Sequence, residues 1–386
     1  MFAFLRHLVP AALLALFFVA CGSSPEESGA FTPGEHAPAP EVVFEGGAVM
    51  THPEVVTVTF QGDPYEATLQ AFGAFVTTSK WWDAVTAEYC GTRGCIGHGT
   101  ARAPVVLTEP AKPHYTLLFL QSLLKTKFDD GTLGVPTRGT LYVVYFPAGT
   151  NFDDGAGGES CQAFGGYHTT HSHDRGIAAQ TIDVPVAFIP RCDGDEAAMT
   201  RIASHEIVEA ATDPVPDTGW AALTTGRDSF GEAGGIEVAD LCTITSDLSA
   251  TQVQEGGFFF QRSWSNASAR AGHDPCVPIP TDQVYFNSAP KEDDVALRIG
   301  ESATLELQGF SDAPTADWSL DFLDGSESGH DFLTVSSDRS TLNNGLRAKL
   351  TVTLVAPPKR RTAVFYIVSK QGDVTRYWVA SVRPIV

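Results

Sequence analysis

From residue 41 to residue 280, short apolar runs rich in β-branched and aromatic residues alternate with stretches of helical period. That alternation predicts a sheet flanked by helices. The strand candidates are VVTVTF at 55–60, YTLLFL at 115–120, LYVVYF at 141–146 and VPVAFIP ending at Pro190. Two helical stretches fall between the first two, at 67–76 and 79–89, the second opened by Ser79 as an N-cap. A further helix begins after the acids Asp193, Asp195 and Glu196, which suit a helix N-terminus. It ends near Thr212, because Asp213 precedes Pro214 and a residue before proline disfavours helix. Beyond residue 281 the helical period vanishes. SATLELQGF, RAKLTVTLV and TAVFYIVSKQGDVTRYWVASV alternate in and out, the last reading as a hairpin about Gln371, Gly372 and Asp373. The expected fold is therefore a mixed α/β sheet with flanking helices over 41–280, followed by an all-β immunoglobulin-like sandwich over 281–386.

The first 40 residues follow a different pattern. Arg6 and the apolar run 8–20 read as a secretory signal, and Phe18-Val19-Ala20-Cys21 resembles the lipobox of bacterial lipoproteins, with Cys21 the lipidated residue. Gly22 and Ser23, with no aspartate after the cysteine, point to the outer membrane or cell surface. Residues 21–40, rich in Pro, Gly, Ser and Glu, read as a flexible tether. Seven cysteines are odd, but setting Cys21 aside leaves six, an even set suited to an oxidising compartment. Pairing neighbours in chain order joins Cys90 to Cys95, Cys161 to Cys192 and Cys242 to Cys276, one of about fifteen possible connectivities. The net charge of −21 leaves no basic patch for nucleic acid and would repel anionic lipid, so the membrane is met through acyl chains.

Candidate chemistry concentrates in RIASHEIVEAATDP, 201–214. Helical geometry puts His205 and Glu209 on one face, where an imidazole nitrogen and a carboxylate oxygen can reach one ion. Glu206 stands where the glutamate of H-E-x-x-H zinc hydrolases accepts a proton, so a zincin-like site helix is one reading. Glu209 replaces the second histidine of that motif. Further ligands are expected from GGIEVADLC, with Glu237 ranked above Asp240. In CQAFGGYHTTHSH, Tyr167 and His168 are candidates to steady an oxyanion, while His171 and His173 read as a solvated loop.

SHEIVEAATDP, EVADLC, GYH and the tail FFFQRSWSNASARAGHDPC together resemble the EXORDIUM-like, or phosphate-induced, secreted proteins and their bacterial relatives. The matching positions are His205, Glu206, Glu209, Asp213, Pro214, Glu237, Asp240, Cys242, Gln261, Trp264 and Cys276, within a resemblance that spans about residues 55–276. After the helix, DTGWAALTTG keeps only Trp220 of the family's usual loop. The resemblance implies a shared metal-site scaffold in a secreted, cell-wall-associated protein, without naming a reaction.

Three functional readings follow. The first is a lipid-anchored zinc hydrolase, plausibly a peptidase acting on a peptide, protein or cell-wall substrate, with Glu206 as base. The second is a surface binding or structural protein in which the same cluster holds zinc or calcium. The third is a helix whose polar residues hold no metal.

Overall fold

Alternation of side chains across a pleated strand sends residues to both faces of the central sheet, and helices packed on each face bury them. The computed structural model describes residues 31–174, 181–192, 194–226, 228–247, 250–325, 332–358 and 360–385. The signal segment, Cys21 and the tether up to residue 30 lie outside the described residues, as does Asp193. Of residues 1–32 only Phe31 and Thr32, both exposed, are described. Residues 33–386 form one unit.

The α/β part runs β1 (Val42–Phe44), β2 (Glu54–Phe60), α1 (Glu66–Phe75), α2 (Lys80–Thr86), β3 (Thr100–Ala101), β4 (Val105–Leu107), α3 (Leu117–Asp129) and β5 (Thr140–Tyr145). It continues with β6 (Tyr167–His173), β7 (Ile182–Ile189), α4 (Glu196–Thr212), β8 (Trp220–Leu223), α5 (Asp240–Thr245), β9 (Gln252–Glu255) and β10 (Phe258–Gln261). The main sheet has the order β6-β7-β5-β2, with both β3 and β4 beside β2. All its pairings are parallel except that of the edge strand β6, which runs antiparallel to β7. Along β5, Leu141, Val143 and Tyr145 enter the core shared with α1, α2 and α4, while Tyr142 and Val144 enter the core under α3.

The expected strands at 55–60, 141–146 and 184–190 are present, but YTLLFL is not a strand. Tyr115 ends a two-residue strand and Thr116 then caps α3, its Oγ1 accepting from the Phe119 amide. The buried residues Leu120, Leu124 and Phe128 recur at four-residue spacing, whereas Leu118 is 81% exposed. A short apolar run does not distinguish strand from helix. The expected disulfides Cys90–Cys95, Cys161–Cys192 and Cys242–Cys276 are all formed, which places the chain in an oxidising environment. Among the described residues no helix is long and apolar enough to cross a membrane.

The all-β part holds β11 (Phe286–Pro290), β12 (Asp294–Leu297), β13 (Ser302–Ser311), β14 (Trp318–Asp324), β15 (Leu333–Ser337), β16 (Thr341–Leu342), β17 (Arg347–Leu354), β18 (Ala363–Gln371) and β19 (Val374–Pro384). They form two sheets, β11-β13-β17-β15 and β12-β19-β18-β14-β16, and β18 and β19 make the expected hairpin about Gly372. The two halves share one continuous apolar core, so the boundary at 281 separates patterns rather than independent cores. Buried Arg262 and Arg376 reinforce that junction. Both bond Asp274, and Arg376 also donates to Ser246 Oγ at 2.7 Å, just beyond the end of α5.

Residues 33–40 correct the tether expectation. The His36 ring stacks on Phe310 with centroids 3.7 Å apart, and the Gly34 amide donates to Asn344 Oδ1 at 2.6 Å. A Cβ on Gly34 would lie 2.6 Å from the Gly309 carbonyl oxygen, so the segment runs against the all-β part where only glycine fits.

Candidate metal centre

Helix α4 carries the site because both its ends are fixed. The Asp195 carboxylate accepts from the Ala198 amide at 3.0 Å and caps the N-terminus. At the other end Asp213, fully buried, accepts from the amides of Asp217, Thr218 and Gly219 and turns the chain back. Between them His205, Glu206 and Glu209 face β6 and the α5 segment. Glu206 is 4% exposed and Glu209 2%, a degree of burial that carboxylates adopt only when paired or metal-bound.

His205 is oriented by a neighbour. Its Nδ1 donates to Gln261 Oε1 at 3.1 Å, and Gln261 Nε2 in turn donates to the Ala239 carbonyl at 2.9 Å, which fixes the amide's direction. The Gln261 amide donates to Ser204 Oγ at 2.8 Å, tying β10 to α4. With Nδ1 directed at Gln261, Nε2 faces Glu209 Oε2 at 3.0 Å and Asp240 Oδ1 at 3.4 Å. Glu209 is held the same way: its Oε1 accepts from the Ala239 and Asp240 amides at 3.2 and 3.1 Å, which leaves Oε2 facing the imidazoles. The Cys242–Cys276 disulfide fastens this segment.

His168 enters from β6. Cross-strand partners share a face, so His168 opposite Ala187 points to α4, and Tyr167 opposite Phe188 points to α3. Its Nδ1 lies 3.6 Å from Glu206 Oε2 and 3.7 Å from Glu209 Oε2, and its Nε2 lies 3.5 Å from Glu237 Oε1. Burial alone would lower its pKa, but Glu237, Glu206 and Glu209 outweigh it and push it up to about 10. Burial likewise opposes the charge on His205, and Glu209, Asp240 and Glu206 hold it well above the ordinary histidine range. Burial raises the Glu209 and Glu237 carboxyls, most strongly Glu237.

The structure thus gathers His168, His205, Glu206, Glu209, Glu237 and Asp240. Asp240, the lower-ranked of the downstream acids, is the one beside His205 and Glu209, while Glu237 faces the far nitrogen of His168. Tyr167 takes the opposite face from His168, its ring centroid 5.9 Å from that of Phe164. His171 is not in a solvated loop: it is buried on β6, stacked on Phe128, with Nδ1 2.8 Å from Gln121 Oε1. His173, beside it, ends the same strand with its ring against Phe128.

Three contributors escape motif reading. Gln261 orients His205, and only its place in a Q-x-x-W pattern marks it. A Cβ on Gly166 would lie 2.3 Å from Glu206 Oε1, so that glycine leaves room for the carboxylate. Arg201, one turn before His205, lines a cleft of about 300 Å³ together with Gly166, Ile202, His205, Glu206 and Asp240. It forms no ion pair among the described residues, and burial lowers its pKa.

The donor set fits a divalent cation. Apart from the 3.0 Å between His205 Nε2 and Glu209 Oε2, the imidazole nitrogens stand 3.4–3.9 Å from the carboxylate oxygens, longer than good hydrogen bonds. These separations approach the spacing of about 3.4 Å between ligands held tetrahedrally about 2.1 Å from zinc.

No family model matches the chain, and no curated protein is similar to it. Among solved structures it is similar to the S-layer protein SbsC domains 4 and 5, with TM-score 0.21 and 15% identity over 27% of this chain and 48% of that one. It is also similar to the titin M10–obscurin-like 1 Ig complex, with TM-score 0.18 and 17% identity over 26% of this chain and 93% of that one. The chain thus spans about half the length of the first, and at these scores neither likeness bears on function.

Proposed function

We propose that the chain is an exported, lipid-anchored, zinc-dependent hydrolase that cleaves an amide or ester bond, with the metal held by His205, Glu209 and Asp240. One observation carries the reading. Three ligand atoms from α4 and the start of α5 converge, and His205 and Glu209 each have their second polar atom tied to the protein and the first left for the ion. The imidazole of His205 favours zinc over calcium, which prefers an all-oxygen shell. Three ligands rather than four, beside a cleft, suit a site that does chemistry. The cluster's partial likeness to the EXORDIUM-like helix agrees with such a scaffold, the Cys21 motif with an anchor, and the all-β half with an immunoglobulin-like module that buttresses α5.

Zinc, when bound, polarises the scissile carbonyl and acidifies water. The chain's own residues do the rest. Glu206 Oε1, on the cleft wall beside Gly166, takes the proton of the attacking water and passes it to the leaving group. The Arg201 guanidinium, which forms no ion pair among the described residues, binds an anionic group of the substrate. The test is hydrolysis of a peptide library by the zinc-loaded chain and by Glu206→Gln. A loss of about 10²-fold or more in kcat/KM is expected, and unchanged activity in a folded variant removes Glu206 from this role.

A further inference from the structure

The cluster offers more donors than one zinc takes. Six side chains converge, whereas a catalytic zinc usually has three protein ligands. The donors divide into two triads that share one residue. His205, Glu209 and Asp240 form the first, and His168, Glu206 and Glu209 the second. In both, the atom of Glu209 turned inward is Oε2, 3.0 Å from His205 Nε2 and 3.7 Å from His168 Nδ1.

We infer that the site is a two-metal centre, its second divalent cation held by His168 Nδ1, Glu206 Oε2 and Glu209, with the Glu209 carboxylate bridging the pair; this rests on the hydrolase reading above. The independent observation is His168. Its side chain is only 5% exposed, its Nε2 has no hydrogen-bond partner, and Glu237 Oε1, 3.5 Å away, has none either. A buried imidazole flanked on both nitrogens by carboxylates beyond hydrogen-bond reach has no purpose in packing. With a cation on Nδ1, the Nε2 proton is directed at Glu237, the carboxylate–histidine pairing that orients metal ligands.

Glu206 serves through separate oxygens, Oε2 toward the second cation and Oε1 at the cleft wall. Two cations about 3.5–4 Å apart would contact both the attacking and the leaving oxygen, the arrangement of two-metal hydrolases.

The experiment is a metal count on the purified full-length chain, loaded with zinc and passed through gel filtration in high salt to strip ions from the acidic surface. Two zinc ions per chain are expected, and one each in Asp240→Asn and His168→Ala. One zinc per chain in the wild type overturns the pair and leaves the single-metal reading standing. None overturns both. Because the variants can misfold, manganese loading of the wild type gives a second reading. An electron paramagnetic resonance spectrum of exchange-coupled manganese is expected, and the six-line spectrum of isolated ions at full loading refutes the pair.

Discussion

Replacing Gln261 with leucine keeps most of the side-chain volume and removes two buried hydrogen bonds, the acceptor for His205 Nδ1 and the donor to the Ala239 carbonyl. Gln261 is 1% exposed. The Ala239 carbonyl keeps the Cys242 amide as a donor at 3.2 Å, so the group left unpaired is His205 Nδ1, and the unfolding free energy should fall by about 1–3 kcal/mol. The second effect is on the metal. Without its acceptor the imidazole is free to rotate, and Nε2 no longer faces Glu209 and Asp240. Losing such support typically weakens metal affinity about 10–100-fold, or about 1.4–2.7 kcal/mol. Competition titration against a chromophoric zinc chelator reads the affinity, and thermal melting of the metal-free protein reads the stability. Gln261→Glu keeps an acceptor and should retain more of the affinity than leucine does. A leucine variant that melts lower yet binds zinc as tightly as the wild type would refute the assignment of His205 Nε2 as a ligand.

Other outcomes follow from the same geometry. Gly166→Ala places a Cβ 2.3 Å from Glu206 Oε1, so the carboxylate must retreat by about 1 Å; kcat/KM should fall about 10²-fold while the melting temperature changes little. Arg201→Ala should raise KM about 10–100-fold for substrates with a carboxylate near the scissile bond and leave neutral ones unchanged, as steady-state kinetics on matched peptides will show. In the metal-free chain His168 stays protonated up to about pH 10, and zinc requires it neutral. Binding at pH 8 should therefore release protons and tighten as pH rises toward 10, which calorimetry in buffers of different ionisation enthalpy detects; no proton release contradicts it. Arg376→Met leaves Asp274 with Arg262 and the Cys276 amide and removes the donor to Ser246 Oγ, and should cost about 3–5 kcal/mol in a denaturant melt.

Much of the scaffold is legible before any coordinates. The strands at 55–60 and 141–146 announce themselves because β-branched and aromatic residues fill both faces of a buried parallel strand. Helix α4 is marked by acids before it and a proline after it, and the structure ends it at Thr212. The run at 115–120 misleads because Leu118 and Phe119 are apolar and yet exposed, so hydrophobicity alone hides the helical period of Leu120, Leu124 and Phe128. At the centre, the pentapeptide His205–Glu209 is visible from spacing, whereas the place of His168 depends on which face of β6 it takes, and that follows from register with β7. Gln261 and Gly166 act through contacts between residues far apart in the chain, and no local pattern signals such contacts.

The central claim is that His205 Nε2, Glu209 Oε2 and Asp240 Oδ1 close on a cation. An anomalous-scattering map of the zinc-loaded chain, collected on both sides of the zinc edge, tests it directly. A peak within about 2.3 Å of all three atoms is the predicted result, and a map empty there while zinc occupies other sites on the chain would contradict it.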